Sequence, residues 1–137
     1  MASLNEAQIA FIHENPFIGI LTTLRPDGSP HSTPVWIDTE GEDVVFNTAE
    51  GRAKVNHVAA DGRVSMVIVD PANSYQWISV SGEATLDAEG ARKQIDDLSL
   101  KYLGKEEYPW YGGETRLTGR IKVDKVDSLG FEPPSEM

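Results

Sequence analysis

The feature that most constrains the fold is a series of short apolar and β-branched runs separated by Gly, Pro, Asp and Asn. Such runs at regular spacing predict β-strands joined by turns. We expect six strands, at about residues 17–24, 31–38, 44–46, 64–69, 75–86 and 116–126. Because most connections are short, the pattern favours a closed antiparallel barrel with peripheral helices over a doubly wound sheet.

Three helices are expected beside these strands, over about residues 3–13, 50–60 and 87–103. Ser3 and Glu6 have the spacing of a capping box for the first helix. Asp87 is the expected cap of the third helix, and Gly104 its expected end. Gly82 interrupts the longest strand and predicts a bulge or bend.

The 137 residues suit one domain. We expect a single domain over residues 1–137, with its core at about 16–126 and a tail at about 127–137. The formal net charge of −10 repels a phosphate backbone and argues against general nucleic-acid binding. An anionic ligand therefore requires a local cluster of positive groups.

The chain contains no cysteine, which excludes disulfides, thiolate nucleophiles and cysteine-ligated metals. No stretch approaches 18 apolar residues, and the N-terminus lacks the basic start and apolar run of a signal peptide. These observations predict a cytoplasmic protein with no membrane partner.

The most informative segment for function runs from Asn47 to Lys54, where a strand leads into a helix. The first N–H groups of a helix lack intrahelical partners and its dipole is positive there, so anions bind readily. Thr48 adds a hydroxyl, Gly51 allows close approach of the backbone, and Arg52 adds a guanidinium. The alternative is a surface helix whose cations are merely solvated.

Two further segments are candidates for contact with a planar ring. Tyr75 and Trp77 share one face of a strand, where they are either ring contacts or aromatic residues of the core or of a dimer interface. Pro34 has no N–H and interrupts strand pairing, which leaves neighbouring backbone groups available to a heterocycle. The alternative at Pro34 is a simple edge strand.

The remaining polar residues support other chemistry weakly. His13, His31 and His57 have no ligand-pair spacing, so no metal site is expected. The sequence around Ser29 lacks a nucleophile elbow. The aromatic residues from Tyr108 to Gly113 either anchor a loop or form a lid over a pocket.

Four ordered stretches of the sequence carry a family resemblance. They read ILTTLRPDGSPH from Ile20, TPVW from Thr33, NTAEGRAK from Asn47, and KYLG from Lys101 followed by Tyr108–Pro109. In this order they resemble the pyridoxamine 5′-phosphate oxidase-like split barrels, in particular the branch of small enzymes that use the deazaflavin coenzyme F420. The likeness runs from about residue 16 to 126.

The resemblance implies a mainly β fold with peripheral helices. This fold is a six-stranded antiparallel split β-barrel of the FMN-binding type, dimeric, with cofactor sites at the dimer interface. Thr48, Arg52 and Lys54 would bind the cofactor phosphate. Residues 33–35 would lie along the ring, and Tyr75 and Trp77 would come from the partner subunit. The full set of implied cofactor-binding residues is His31, Thr33, Pro34, Val35, Asn47, Thr48, Gly51, Arg52, Ala53, Lys54, Tyr75 and Trp77.

The implied function is an oxidoreductase that transfers hydride from reduced F420 to a conjugated small-molecule acceptor. The alternatives are an FMN-dependent oxidase or reductase, and a non-catalytic protein that binds flavin or haem. No catalytic residue is assigned, and the proton donor is solvent, Tyr108 or Tyr111. After Lys54 the family often has Asn two or three residues on and then Leu, whereas this chain reads Val55-Asn56-His57-Val58, so the partner of the phosphate or tail on this helix is left open. Arg25 and Lys93 are the candidates for contact with a longer acidic tail.

Overall fold

The computed structural model describes residues 2–131, so residues 132–137 of the expected tail lie outside it. Within the described residues the fold is mainly β, as predicted, with seven strands and three helices. In chain order these elements are α1 (Glu6–His13), β1 (Gly19–Leu24), β2 (Pro30–Val35), β3 (Ile37–Glu40), β4 (Asp43–Ala49), α2 (Ala53–Ala60), β5 (Arg63–Asp70), β6 (Asn73–Asp87), α3 (Ala91–Leu103) and β7 (Arg116–Leu129).

The strands form one antiparallel sheet in the order β2-β1-β5-β6-β7-β4-β3. Its two edge strands, β2 and β3, are consecutive in the chain and are separated only by Trp36. The two edges of the sheet are therefore joined covalently, and the sheet must curl round on itself.

The prediction of a single strand over residues 31–38 is wrong, because the chain changes partners at Trp36. Val35 pairs with Gly19 of β1, whereas Ile37 pairs with Phe46 of β4. A break of this kind depends on which strands lie on either side, and the local sequence contains no information about that.

The end of α3 secures the chain at this break. The Tyr102 hydroxyl accepts a hydrogen bond from the Ile37 N–H (3.0 Å) and donates one to the Phe17 carbonyl (2.6 Å). The Lys101 ammonium donates to the Ile37 carbonyl (2.8 Å) and to the Ile12 carbonyl of α1 (2.7 Å). Two side chains of α3 thus satisfy backbone groups that strand pairing leaves open.

The core fills the inside of the curled sheet, with Phe46, Leu21, Ile78 and Ile121 fully buried. Phe46 occupies the space opposite Gly119 of β7, where a Cβ would lie 2.1 Å from the ring. The expected bulge at Gly82 is confirmed by a register shift between β6 and β7 at that point.

The predicted helix starts require three corrections. Asn5 caps α1 in a capping box with Gln8, in place of Ser3 with Glu6. Residues 50–52 form a turn, so α2 begins at Ala53. Asp87 is still paired with Thr118 in the sheet, and α3 is capped by Gly90.

The C-terminal ends of α3 and β7 can also be compared with the predictions. Gly104 ends α3 in the left-handed region, as predicted. The last strand extends beyond residue 126, to Leu129. None of the helices within residues 2–131 has the length and apolar character that crossing a membrane requires.

Candidate functional site

A cleft of about 320 Å³ lies where the ends of β2 and β4 meet the starts of α2 and β7. Its polar wall consists of Asn47, Thr48, Arg52, Lys54 and Arg116. Its aromatic wall consists of Trp36, Tyr108 and Trp110. Apolar side chains of β2 and α3, among them Val35, Ile95 and Leu98, line the rest.

The polar wall begins at the turn between β4 and α2. Gly51 has a φ of +91°, a left-handed conformation that favours glycine, and it turns the chain so that α2 starts at the cleft. Arg52 is the N-cap residue, and its side chain makes no capping hydrogen bond. Arg52 and Lys54 have no side-chain hydrogen bond or ion pair within residues 2–131, so both cations can bind a ligand.

Arg116 contributes a third cation to the polar wall from the start of β7. Only 7% of its side chain is exposed. Its guanidinium donates to the Asn47 amide oxygen (2.8 Å) and to the Glu114 carboxylate (3.0 Å). Asn47 is held in turn by hydrogen bonds to the Ala91 carbonyl (2.9 Å) and to the Gln94 side chain (2.6 Å). The guanidinium is therefore fixed in position before any ligand arrives.

The pKa of Lys54 is shifted by burial and by the other cations of the polar wall. Burial lowers it from its usual value, and the nearby Arg52 and Arg116 lower it further. Glu114 is the counter-charge to Arg116, and its pKa is lowered chiefly by the hydrogen bond from the Gly112 N–H. With Glu114 ionised, three cations face one carboxylate, and the wall is suited to a phosphate group.

The aromatic wall is a connected set of rings. Tyr108 meets the Trp36 ring edge-on at 6.0 Å, and Trp110 meets the Tyr108 ring edge-on at 5.7 Å. The Arg116 guanidinium lies 5.2 Å from the centre of the Tyr108 ring. Tyr108 therefore joins the aromatic wall to the polar wall.

Half of the residues that the sequence singled out come together in this cleft. These six are Pro34, Val35, Asn47, Thr48, Arg52 and Lys54. Gly51 lies in the turn beside them, and Ala53 is the first residue of α2. His31 and Thr33 lie on β2 but do not line the cleft. The site roles of all twelve residues stay predictions.

Tyr75 and Trp77 lie away from the cleft, on the outer face of the sheet. Tyr75 is 76% exposed. Trp77 lines a shallow groove with Val67 and Val69. Within this chain they do not line the cleft, and their expected contribution to a partner subunit's site stays a prediction.

Other residues weighed from the sequence also lie outside the cleft. Arg25 donates to the Pro30 carbonyl at the β1–β2 turn (2.6 Å), and Lys93 pairs with Asp97 on the exposed side of α3. His57 bonds to the Thr23 hydroxyl (2.8 Å) and faces the His31 ring. Tyr111 packs beneath the Arg92 guanidinium at 4.1 Å.

Sequence reasoning missed Arg116, Trp36 and Trp110 as site residues. Arg116 and its partner Asn47 are 69 positions apart in the chain, so only the pairing of β4 with β7 brings them together. The one available signal for Trp110 was its aromatic, glycine-flanked segment. That segment is anchored on α3, and two of its three aromatic side chains, Tyr108 and Trp110, also line the cleft.

Comparison with known proteins identifies the family. The family model described as pyridoxamine 5′-phosphate oxidase matches residues 4–128. An F420H(2)-dependent biliverdin reductase of Mycobacterium tuberculosis (strain CDC 1551 / Oshkosh) is 23% identical over 123 residues, which cover 90% of this chain and 86% of the reductase.

Solved structures share the fold. One, described as an F420 reductase, has a TM-score of 0.77 and 25% identity, with 86% of this chain and 94% of that chain covered. A conserved hypothetical protein from Mycobacterium tuberculosis has a TM-score of 0.74 and 22% identity, with 98% and 92% covered. These matches confirm the split-barrel fold. The family match spans nearly all of the described chain, and the protein therefore belongs to the pyridoxamine 5′-phosphate oxidase family.

Proposed function

We propose that this protein is an oxidoreductase that binds coenzyme F420 in the cleft and transfers hydride from its reduced form to a conjugated small-molecule acceptor. The observation that carries the proposal is the position of the unpaired Arg52 and Lys54, with the buried Arg116, beside the open edge of β2. A phosphate needs the cations and the flat ring attached to it needs the strand edge, so a coenzyme with both groups requires the two to be adjacent. The relatives named for F420 support this coenzyme over FMN.

The residues of the cleft match the parts of such a coenzyme. Thr48, Arg52, Lys54 and Arg116 would hold the phosphate through charge-assisted hydrogen bonds. Among the strands of residues 2–131, β2 pairs with β1 alone, so its other edge can offer backbone groups to the heterocycle around Pro34. The apolar side chains of α3 would keep water from the reacting face.

The bound coenzyme would supply the hydride, while the protein would orient the two reactants, exclude water and place charged groups around them. Reduction of one double bond consumes one hydride and one proton, as a C–H bond forms on the acceptor and one in the coenzyme breaks. The acceptor gains two electrons, and no covalent bond to the protein is required. Of the two tyrosines considered as proton donors, Tyr108 lines the cleft, so the proposed donor is its hydroxyl or solvent.

A homodimer is part of the proposal. Apolar side chains on the outer face of the sheet form a continuous row, since Ile20 pairs across with Val67, Val69 with Trp77, and Trp77 with Leu129. Ile18 is exposed next to this row and also lines the cleft. A second copy seated on this face would bury the row and bring its own Tyr75 and Trp77 towards the cleft. The cytoplasmic location expected from the sequence stays a prediction.

The test is a pair of equilibrium titrations with F420 and with FMN, followed by quenching of ligand fluorescence. We expect tighter binding of F420 and a dissociation constant raised about tenfold or more in Lys54→Ala, since a hydrogen bond to a charged group contributes about 1.5–3 kcal/mol. Lys122→Ala, which removes an exposed lysine of β7 outside the cleft, is the control.

Each other outcome decides between the alternatives. Tighter binding of FMN would favour an FMN-dependent oxidase or reductase, because the polar wall suits the phosphate of either coenzyme. F420 binding without turnover of any acceptor would favour a non-catalytic flavin or haem binder. Failure to bind either coenzyme would overturn the proposal.

A further inference from the structure

The loop at residues 105–115, which we call the aromatic loop, places the Trp110 side chain at the mouth of the cleft. Four rings follow one another from the barrel to this mouth. Tyr102 stacks on Trp36 at 5.2 Å with an 11° tilt, Tyr108 meets Trp36 edge-on, and Trp110 meets Tyr108 edge-on. Trp110 is thus the outermost member of a ring series whose inner end is hydrogen-bonded to the barrel.

The aromatic loop is held on α3 at several points. The Tyr108 N–H donates to the Asp96 carboxylate (2.8 Å), and the Ser99 hydroxyl donates to the Glu107 carbonyl (3.3 Å). The Arg92 guanidinium covers the Tyr111 ring at 4.1 Å, and Arg92 also pairs with Asp96. The residues on both sides of Trp110 are therefore anchored on α3, Tyr108 through its backbone and Tyr111 through its ring, and the indole packs edge-on against Tyr108.

This indole is left largely uncovered, with 64% of the residue exposed. Burying apolar surface stabilises a complex by about 25 cal/mol per Å², and a tryptophan can bury about 150–250 Å². An exposed indole at the mouth of a concave site, on a loop that is anchored on both sides, is thus a strong contact for a flat apolar ligand.

The two walls of the cleft differ in the ligand chemistry that they suit. The polar wall has three cations, whereas Trp36, Tyr108 and Trp110 present ring surface. If F420 occupies the polar wall and the edge of β2, the ring surface beyond it is left for the second reactant. This step rests on the proposed function.

We propose that Trp110 and Trp36 form the acceptor subsite and that Trp110 selects flat, fused-ring acceptors over small aliphatic ones. Tyr108 positions the Trp110 ring from behind, and the hydrogen bond from its N–H to Asp96 fixes the depth of the subsite. Selectivity for flat acceptors follows because a fused ring covers the whole indole face, whereas a small enone covers little of it.

The experiment uses the full-length protein saturated with oxidised F420 and measures binding of two probes by calorimetry. The probes are menadione, a flat bicyclic quinone, and 2-cyclohexen-1-one, a small non-aromatic enone. We expect the wild type to bind menadione more tightly. Trp110→Ala should weaken menadione binding about tenfold, and Trp110→Phe about threefold, because part of the ring surface remains. Binding of cyclohexenone should change by less than twofold.

A matched control and a second measurement separate the possible failures. Leu100→Ala is the control, because Leu100 is an exposed apolar residue of α3 that lies outside the cleft; 53% of it is exposed. This variant should leave the dissociation constants of both probes unchanged. The dissociation constant of F420 should stay within twofold in both Trp110 variants. A tenfold rise in the F420 dissociation constant of these variants would show that Trp110 contacts the coenzyme. Equal binding of the two probes by the wild type would contradict the selectivity. Either result overturns this inference and leaves the proposed function untouched. Failure of the wild type to bind F420 would instead overturn the proposed function.

Discussion

At the scale of single residues, His31 is one of the candidates that the structure places outside the cleft. Its ring lies edge-on to the His57 ring at 5.1 Å, and its buried Nδ1 has no hydrogen-bond partner within residues 2–131. Burial lowers the pKa of His31 from its usual value, and electrostatic repulsion from Arg25, His57 and Lys54 lowers it further. Charging this imidazole in the folded protein is therefore unfavourable.

The sign of the effect on stability follows directly. Between the lowered pKa and 6.5, the unfolded chain binds more protons at His31 than the folded chain does, so the free energy of unfolding rises with pH. The contribution is fully present above 6.5 and is lost as the pH falls to the folded pKa. We expect His31→Gln to flatten this part of the profile, measured by urea unfolding from pH 5 to 8. An equal slope in wild type and His31→Gln would disprove the assignment.

At the scale of elements, the strands and helices could be predicted where the local sequence has a clear apolar or turn pattern. The strands with which each strand pairs could not be predicted. The polar wall was largely foreseen because Asn47, Thr48, Arg52 and Lys54 fall within eight consecutive residues. Arg116 was not, because a distant strand supplies it. The division of the expected strand at Trp36 was missed for the same reason, since it results from pairing with two different neighbours.

The hydroxyl of Tyr102 gives a test of how that division is stabilised. It bonds to the Ile37 N–H and the Phe17 carbonyl, and burial raises the pKa of Tyr102 to about 12. Tyr102→Phe should lower the free energy of unfolding by about 1–3 kcal/mol, because it leaves buried backbone groups unsatisfied. Urea unfolding at pH 7 measures this. Tyr111→Phe makes the same chemical change in a partly exposed residue and should cost little; equal losses in the two variants would refute the anchoring role.

At the scale of the whole molecule, the charge of the chain and its apolar outer face act in opposite directions. The formal charge of −10 disfavours non-specific association of copies. The row that includes Val67, Val69 and Trp77 nevertheless exposes apolar surface across several strands, and a specific symmetric contact would bury it. In a twofold contact every substitution appears twice and close to its own copy, so one added charge disrupts the contact strongly.

Val69→Lys should therefore dissociate the proposed homodimer. Val69 is partly exposed on β5 and its substitution disturbs no core packing. Like charges placed together at an interface cost several kcal/mol, so we expect the dimer dissociation constant to rise about a hundredfold or more, as measured by sedimentation velocity. Leu100→Lys, which places the same charge on an exposed apolar position of α3, should leave the dimer intact. If Tyr75 and Trp77 complete the partner's cleft, F420 affinity should fall in parallel with dimer dissociation in Val69→Lys. A monomeric wild type, or a Val69→Lys protein that stays dimeric, would show that this face is not the interface.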